Sequence, residues 1–246
     1  RARHAHWVAD VAERVEPATF GPERGRIVAR MRRSVEEIRS ALHWATAPDG
    51  DPIVAIRIAG ALGWFWISAL PWGEARTLLQ ATLDAADAQG IPDAERPLDD
   101  RVALGRMMYP MLGLSYFAGD TARMLAIGAR ELPLWDSVDA TPGLSDAQRL
   151  TSARGRTLCY QLTGLAHAMR GDPQRSLATM DRCIATAERS GDQWLLAVMT
   201  MRRALVHHLL GDLASAQADY DAAVRPLRAM GERWFLSLAL EGMAIN

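Results

Sequence analysis

Residues 170–194 read RGDPQRSLATMDRCIATAERSGDQW, and residues 210–234 read LGDLASAQADYDAAVRPLRAMGERW. Both stretches carry a glycine followed by an acid near each end: Gly171-Asp172, Gly191-Asp192, Gly211-Asp212 and Gly231-Glu232, twenty residues apart. A turn signal recurring at half of a forty-residue unit predicts paired antiparallel helices that repeat along the chain. At a forty-residue offset Trp194 falls on Trp234, Leu195 on Phe235, Leu196 on Leu236, Val198 on Leu238 and Ala204 on Ala244. The intervening helices agree too, with Ser176 on Ala216, Met180 on Tyr220, Cys183 on Ala223 and Ile184 on Val224. Small residues recur where two helices must approach closely, and large apolar ones where a gap must be filled. No stretch shows the period of a strand, so the expected fold is all-α: a solenoid of antiparallel helix pairs with a unit of about 40 residues.

Composition narrows what such a fold can do. The 246 residues are 49% hydrophobic, enough for a substantial core. A formal charge of -1 gives no basic footprint, so direct binding of nucleic acid by this segment is not expected. All 28 cations are arginine. Without lysine there is no Walker A loop and no Schiff base with a carbonyl substrate or pyridoxal phosphate. Gly-x-Ser-x-Gly, His-Glu-x-x-His and Cys-x-x-Cys patterns are all missing. The acids Asp120, Asp172, Asp192 and Asp212 stand at turn ends, where capping a helix is their first job. The chain is therefore expected to be no enzyme, with no cofactor and no metal of its own. Cys159 and Cys183 fall on inward helix positions and read as buried, reduced thiols. No stretch reads as a signal peptide. Residues 58–73, uncharged but interrupted by Pro71, fall short of the about 20 residues that span a bilayer. The expected location is the cytoplasm, away from membranes.

Punctuation by proline, glycine and capping acids divides the chain into about eleven helices. The first is expected at 2–15, ending near Pro17, and the second at 22–47, with Pro22 in its first turn. Asp51 as N-cap and Pro52 at the first helical position open a third helix, to residue 69. Further helices are expected at 73–88, 97–118 and 120–138, before a turn-rich linker at 139–146. In domain terms this gives a helical segment at 1–47, degenerate helix pairs at 48–138, the linker, and repeats at 147–246. The sequence opens on Arg1 and stops at Asn246 inside an apolar helical run, so a longer polypeptide is expected.

Two resemblances sharpen these expectations. The pattern Gly164-x6-Gly171-Asp172-x3-Ser176-x3-Met180-x2-Cys183, with its successor from Ala204 to Ala223, is similar to the tetratricopeptide repeat in a form longer than the usual unit of about 34 residues. That resemblance implies a right-handed superhelix with a concave binding face. In the first ninety residues, Arg3-His4-Ala5-His6-Trp7, Glu37-Ile38-Arg39-Ser40-Ala41-Leu42-His43-Trp44-Ala45, Ala59-Gly60-Ala61-Leu62-Gly63-Trp64-Phe65-Trp66 and Gly73-Glu74-Ala75-Arg76 form a second set. They resemble the region that follows the ATPase module in large actinobacterial transcriptional regulators. These are the antibiotic-regulatory and large LuxR-like members of the signal-transduction ATPases with numerous domains (STAND). The resemblance implies a sensor and interaction scaffold that controls an attached ATPase and DNA-binding domain. ATP would belong to the ATPase module, and a protein, peptide or small-molecule effector to the concave face.

Candidate contact residues follow from exposure and spacing. Trp64, Phe65 and Trp66 are consecutive on one helix and cannot all face one neighbour. They read either as core between helix pairs or, for Trp64 and Trp66, as the wall of an aromatic pocket or a contact with the ATPase module. Arg202, Arg203 and His207 are candidates for the concave face, although neighbouring His207 and His208 point about 100° apart and are poorly placed to share a metal. Arg26, Arg30 and Arg33, with Arg32 beside them, form a basic stripe that reads as a solvated face paired with Glu23, Glu36 and Glu37, or as a contact with the ATPase. Trp194 and Trp234 recur at the repeat period and read as structural. Two rival functions remain open: a stand-alone protein-interaction module, and a small-molecule-binding domain near Trp64 and Trp66.

Overall fold

In the computed structural model, residues 1–19 and 23–245 are described, and their regular secondary structure is entirely helical. The α-helices are α1 (Ala2–Val15), α2 (Arg24–Arg32), α3 (Val35–Ala45), α4 (Pro52–Ala61), α5 (Gly63–Ser68), α6 (Trp72–Asp87), α7 (Leu98–Phe117), α8 (Thr121–Asp139), α9 (Asp146–Met169), α10 (Pro173–Ser190), α11 (Gln193–Leu209), α12 (Leu213–Ala229) and α13 (Arg233–Ile245). Short 3-10 turns at Glu16–Thr19 and Asp93–Glu95 complete them. Arg1–Leu114 with Pro133–Leu144 forms one compact unit, and Ser115–Leu132 with Ser145–Asn246 forms a second.

Two long helices expected in the first unit are each broken in two. The helix placed at 22–47 splits at Arg33-Ser34, where Arg33 and Ser34 donate to the carbonyls of Arg30 and Met31 three residues back. Ser34 itself leaves the helical region, at φ −106 and ψ 19. The apolar stripe Val28, Met31, Val35, Ile38, Leu42, Ala45 keeps helical spacing straight through the break, so periodicity alone cannot reveal it. The sequence does carry a sign of the new start, a serine at 34 with Glu37 three residues on. The expected place of Pro22 in a first helical turn lies outside the described residues. The helix placed at 52–69 breaks at Leu62, between two glycines that weaken it, Gly60 and Gly63. Its start is as expected, with Asp51 Oδ1 accepting from Ile53 N at 3.0 Å and Pro52 in the first turn.

Ion pairs and close backbone approach brace this unit. Arg57 on α4 donates from Nε and Nη2 to Glu13 at 3.0 and 2.7 Å, and from Nη2 to Asp10 at 2.7 Å, both on α1. Those carboxylates hold the Arg57 guanidinium well above its ordinary pKa. Arg39 on α3 grips Glu74 on α6 at 2.5 and 2.8 Å. Gly60 lies so near the Ala103 carbonyl of α7 that a Cβ would overlap its oxygen. Leu144, in the stretch expected as a linker, packs with Val102, Trp135 and Val138.

In the second unit the glycine-acid turns behave as their spacing implies. Gly171, Gly191, Gly211 and Gly231 have φ of 72, 69, 80 and 69°, the left-handed conformation that closes a helix. The acid that follows each glycine then caps the next helix: Asp172, Asp192 and Asp212 accept from the N–H three residues on, each at 3.1 Å. Side chains of α10 meet carbonyls of α9 in mirror positions about the turn that joins them. Ser176 Oγ donates to Gly164 O at 2.8 Å, and Cys183 Sγ to Thr157 O at 3.3 Å, two contacts equally disposed about position 170. Arg203 and Asp219 are likewise placed symmetrically about Gly211. Gly164 lets Met180 pack against the α9 backbone, and Gly242 gives the Tyr220 ring the same access to α13.

Cys159 and Cys183 are both fully buried, and burial pushes both thiols up from their ordinary pKa. Neither thiol should react with a disulfide reagent at pH 8 in the native protein, and both should react in denaturant. Thiol titration checks this, and a rapid native equivalent would contradict the burial.

Candidate functional site

The aromatic run on α5 divides between two environments. Trp66 is 0% exposed, and its Nε1 donates at 2.9 Å to the carbonyl of Ala59, in the last turn of α4. Helix-terminal carbonyls lack intrahelical donors, so this indole satisfies a group that the break at Leu62 leaves open. Phe65 meets Trp66 edge-on at 5.3 Å. Trp64, half-buried, meets the Tyr109 ring of α7 edge-on at 5.7 Å instead. Thus Trp64 and Trp66 do not line one common wall.

Arg26 and Arg30 lie exposed on α2, and Arg33 lies exposed where that helix ends. Arg26 pairs with Glu23 at 2.8 Å, as expected. The other two acids have different partners: Glu36 pairs with Arg39, and Glu37 with His4 at 2.7 Å. Arg32 donates to the Ser68 carbonyl. Glu36 and Glu37 lie in the first turn of α3, beyond the break at Arg33-Ser34.

Arg203 and His207 come together and Arg202 does not. Arg203 holds Asp219 of α12 through two hydrogen bonds of 2.7 Å, with Asp181 of α10 at 4.0 Å. The bond to Asp219 raises the Arg203 pKa. His207 continues the cluster, with Nε2 3.8 Å from Asp219 and Nδ1 3.5 Å from Asp212. Bonds from Ser215 hold Asp212 below the usual carboxylate range. The cluster clasps α11 to α12 beside the Gly211 turn. Arg202 lies instead over the Phe235 ring of α13, 5.5 Å from its centroid. Asp219 did not stand out in sequence, yet reflecting Arg203 across the Gly211 turn lands on it.

One kind of side-chain contact occurs twice at a forty-residue offset. Arg154 Nε on α9 donates to Asp192 Oδ2 at 2.7 Å, across 38 residues. Trp194 Nε1 on α11 donates to Glu232 Oε2 at 2.9 Å, again across 38 residues. Arg154 and Trp194 stand forty residues apart, as do Asp192 and Glu232. Each acid divides its two oxygens: one caps its own helix, Asp192 Oδ1 from Leu195 N and Glu232 Oε1 from Trp234 N at 3.1 Å, while the other takes the donor of the preceding repeat. Trp194 is 7% exposed and meets Phe235 edge-on at 5.7 Å.

Trp234 stands one repeat later but is 58% exposed, so the two tryptophans expected as equivalent structural positions differ in surroundings. Sequence fixes their place in the repeat, and cover comes from the following helix. The start of α13 covers Trp194 through Glu232 and Phe235.

Among the described residues, no group of three or more His, Cys, Asp or Glu side chains is placed to hold a metal ion, and no helix is long and apolar enough to cross a membrane. No protein-family model matches the chain, and no curated protein matches it.

Proposed function

We propose that this chain is a non-catalytic binding scaffold whose helix hairpins stack as an open, right-handed solenoid. In the setting that the resemblance implies, it is the sensor and interaction region of a cytoplasmic, multidomain, ATP-dependent transcriptional regulator. The observation that carries the scaffold reading is the contact made twice across 38 residues, Arg154 to Asp192 and Trp194 to Glu232. Units joined by one recurring contact can be added in line without closing on themselves, which leaves a long face for a protein, peptide or small-molecule effector. An occupant that prefers one curvature of that face shifts the whole array toward it. The exposed Arg26 and Arg30 on α2 supply a basic surface through which such a shift reaches the ATPase.

The reading frame around these residues tests the regulator role. A phosphate-binding loop and a DNA-binding domain upstream of Arg1 are expected, and a frame with neither ends the proposal. In the full polypeptide, the double reversal Arg26→Glu with Arg30→Glu should change basal ATP hydrolysis severalfold while the fold, followed by circular dichroism, stays intact. Unchanged hydrolysis would remove the stripe from the mechanism.

A further inference from the structure

At the end of α5 two side chains from distant parts of the sequence lie on neighbouring carbonyls. Trp72, opening α6, donates from Nε1 to Ile67 O at 3.1 Å, and Arg32, closing α2, donates from Nη2 to Ser68 O. Carbonyls in the last turn of a helix lack intrahelical donors, so both bonds satisfy groups that α5 leaves open. They also anchor an indole and a guanidinium side by side at the surface, where Trp72 is 47% exposed and Arg32 is exposed. Arg33 follows Arg32, Arg30 stands about a turn before Arg33, and Arg76 lies about a turn beyond Trp72 on α6, all of them exposed.

Positive charge gathers here without its usual counterweight. No acid occurs between Glu23 and Glu36 in the sequence. The acids nearby are already paired: Glu23 with Arg26, Glu36 and Glu74 with Arg39, and Glu37 with His4. Among the described residues no acid pairs with Arg30, Arg33 or Arg76.

We infer that this surface, Trp72 with Arg30, Arg32, Arg33 and Arg76, docks an acidic protein segment that carries one large apolar residue. The apolar residue lies on the indole and the carboxylates meet the guanidinium groups, whose planar fork takes a carboxylate through two bonds. Tryptophan and arginine are among the side chains most enriched where protein interfaces hold tightest. Anchoring Trp72 and Arg32 beforehand spares part of the ordering cost of binding. A nucleic acid suits the surface less, since a chain of formal charge -1 exerts no long-range pull on a polyanion. The inference rests on the proposed role of the α2 stripe as a contact surface, and it adds Trp72, Arg76 and the chemistry of what they meet.

The probe is a fluorescein-labelled peptide of glutamate and alanine with one central leucine, titrated against the protein by anisotropy at low and at physiological salt. Saturable one-to-one binding is expected, weakening as salt rises because the charges meet at the surface. Trp72→Ala should weaken it about tenfold, as truncating an interface anchor does. Serine in place of the peptide leucine should act alike. Arg32→Gln with Arg33→Gln should weaken binding severalfold and flatten its salt dependence, and glutamine for every glutamate of the peptide should abolish it. Arg225→Gln with Arg228→Gln, at exposed positions of α12, should change nothing. All these positions are exposed, so the variants should keep the native circular dichroism spectrum, and Trp72→Phe, which keeps a ring, should retain most of the binding. Absence of saturable binding, equal binding to Trp72→Ala, or an equal loss in the α12 variant overturns the inference. So does tighter binding of an oligothymidylate that Trp72→Ala abolishes, or a concentration-dependent dimer in sedimentation that the same variant dissolves, because a nucleic acid or a second copy then owns the surface. The titration reads this surface alone: a reading frame without a phosphate-binding loop ends the regulator role and leaves the measured docking in place.

Discussion

Replacing Trp66 by alanine should lower the stability of the first unit by about 3–5 kcal/mol, the usual cost of emptying a buried aromatic site. The ring is wholly enclosed, so nearly all of its apolar area is lost along with its packing on Phe65. A second loss adds to this: the Ala59 carbonyl, whose bond from Trp66 Nε1 measures 2.9 Å, is left without that donor in a dry setting. Urea unfolding of wild type and variant checks the figure, and a change below about 1 kcal/mol would mean that the ring is not enclosed. The outcome also bears on the rival small-molecule reading. With Trp66 in the core, a ligand lost on Trp66→Ala would report damage to the fold, so Trp64, half-buried against Tyr109, is the informative position for that rival.

Gly60→Val should cost about 3 kcal/mol, the upper end of overpacking penalties. The obstacle is the Ala103 carbonyl, part of the α7 main chain, which cannot turn aside as a side chain can. A branched β-carbon adds its own constraint inside a helix. The control is Gly25→Ala on α2, where an added Cβ meets nothing within 4 Å. There the same loss of backbone freedom in the unfolded chain should stabilise by about 0.5–1 kcal/mol. Opposite signs in one set of denaturation curves would locate the tight α4 to α7 crossing, and equal signs would refute it.

How much of this was readable in advance depended on whether the signal was local. The glycine-acid turns, the caps at Asp51, Asp172, Asp192 and Asp212, and the all-helical class were plain, because each rests on a few neighbouring residues whose backbone needs are fixed. The break at Ser34 is masked by an apolar stripe that runs on without a slip, with Ser34 and Glu37 its only local mark, and the break at Leu62 lacks a proline to mark it. Arg203 and His207 read in sequence as candidates for the concave face, and the structure adds a bracing contact with Asp219 that only the placement of α12 discloses. Trp64 and Trp66 differ for a related reason, as the chain turns at Leu62 and presents them to separate neighbours. Trp194 and Trp234 are identical in pattern, and only the helix lying over one of them tells them apart.

The divided carboxylates at Asp192 and Glu232 also bear on how the second unit melts. A residue that both starts its own helix and grips the helix two before it cannot lose one role while keeping the other, so fraying at the head of α13 should loosen α11, and fraying at the head of α11 should loosen α9. Disorder would then spread backward along the chain in steps of one hairpin, with amide protons in α9 and α11 exchanging as linked groups rather than helix by helix.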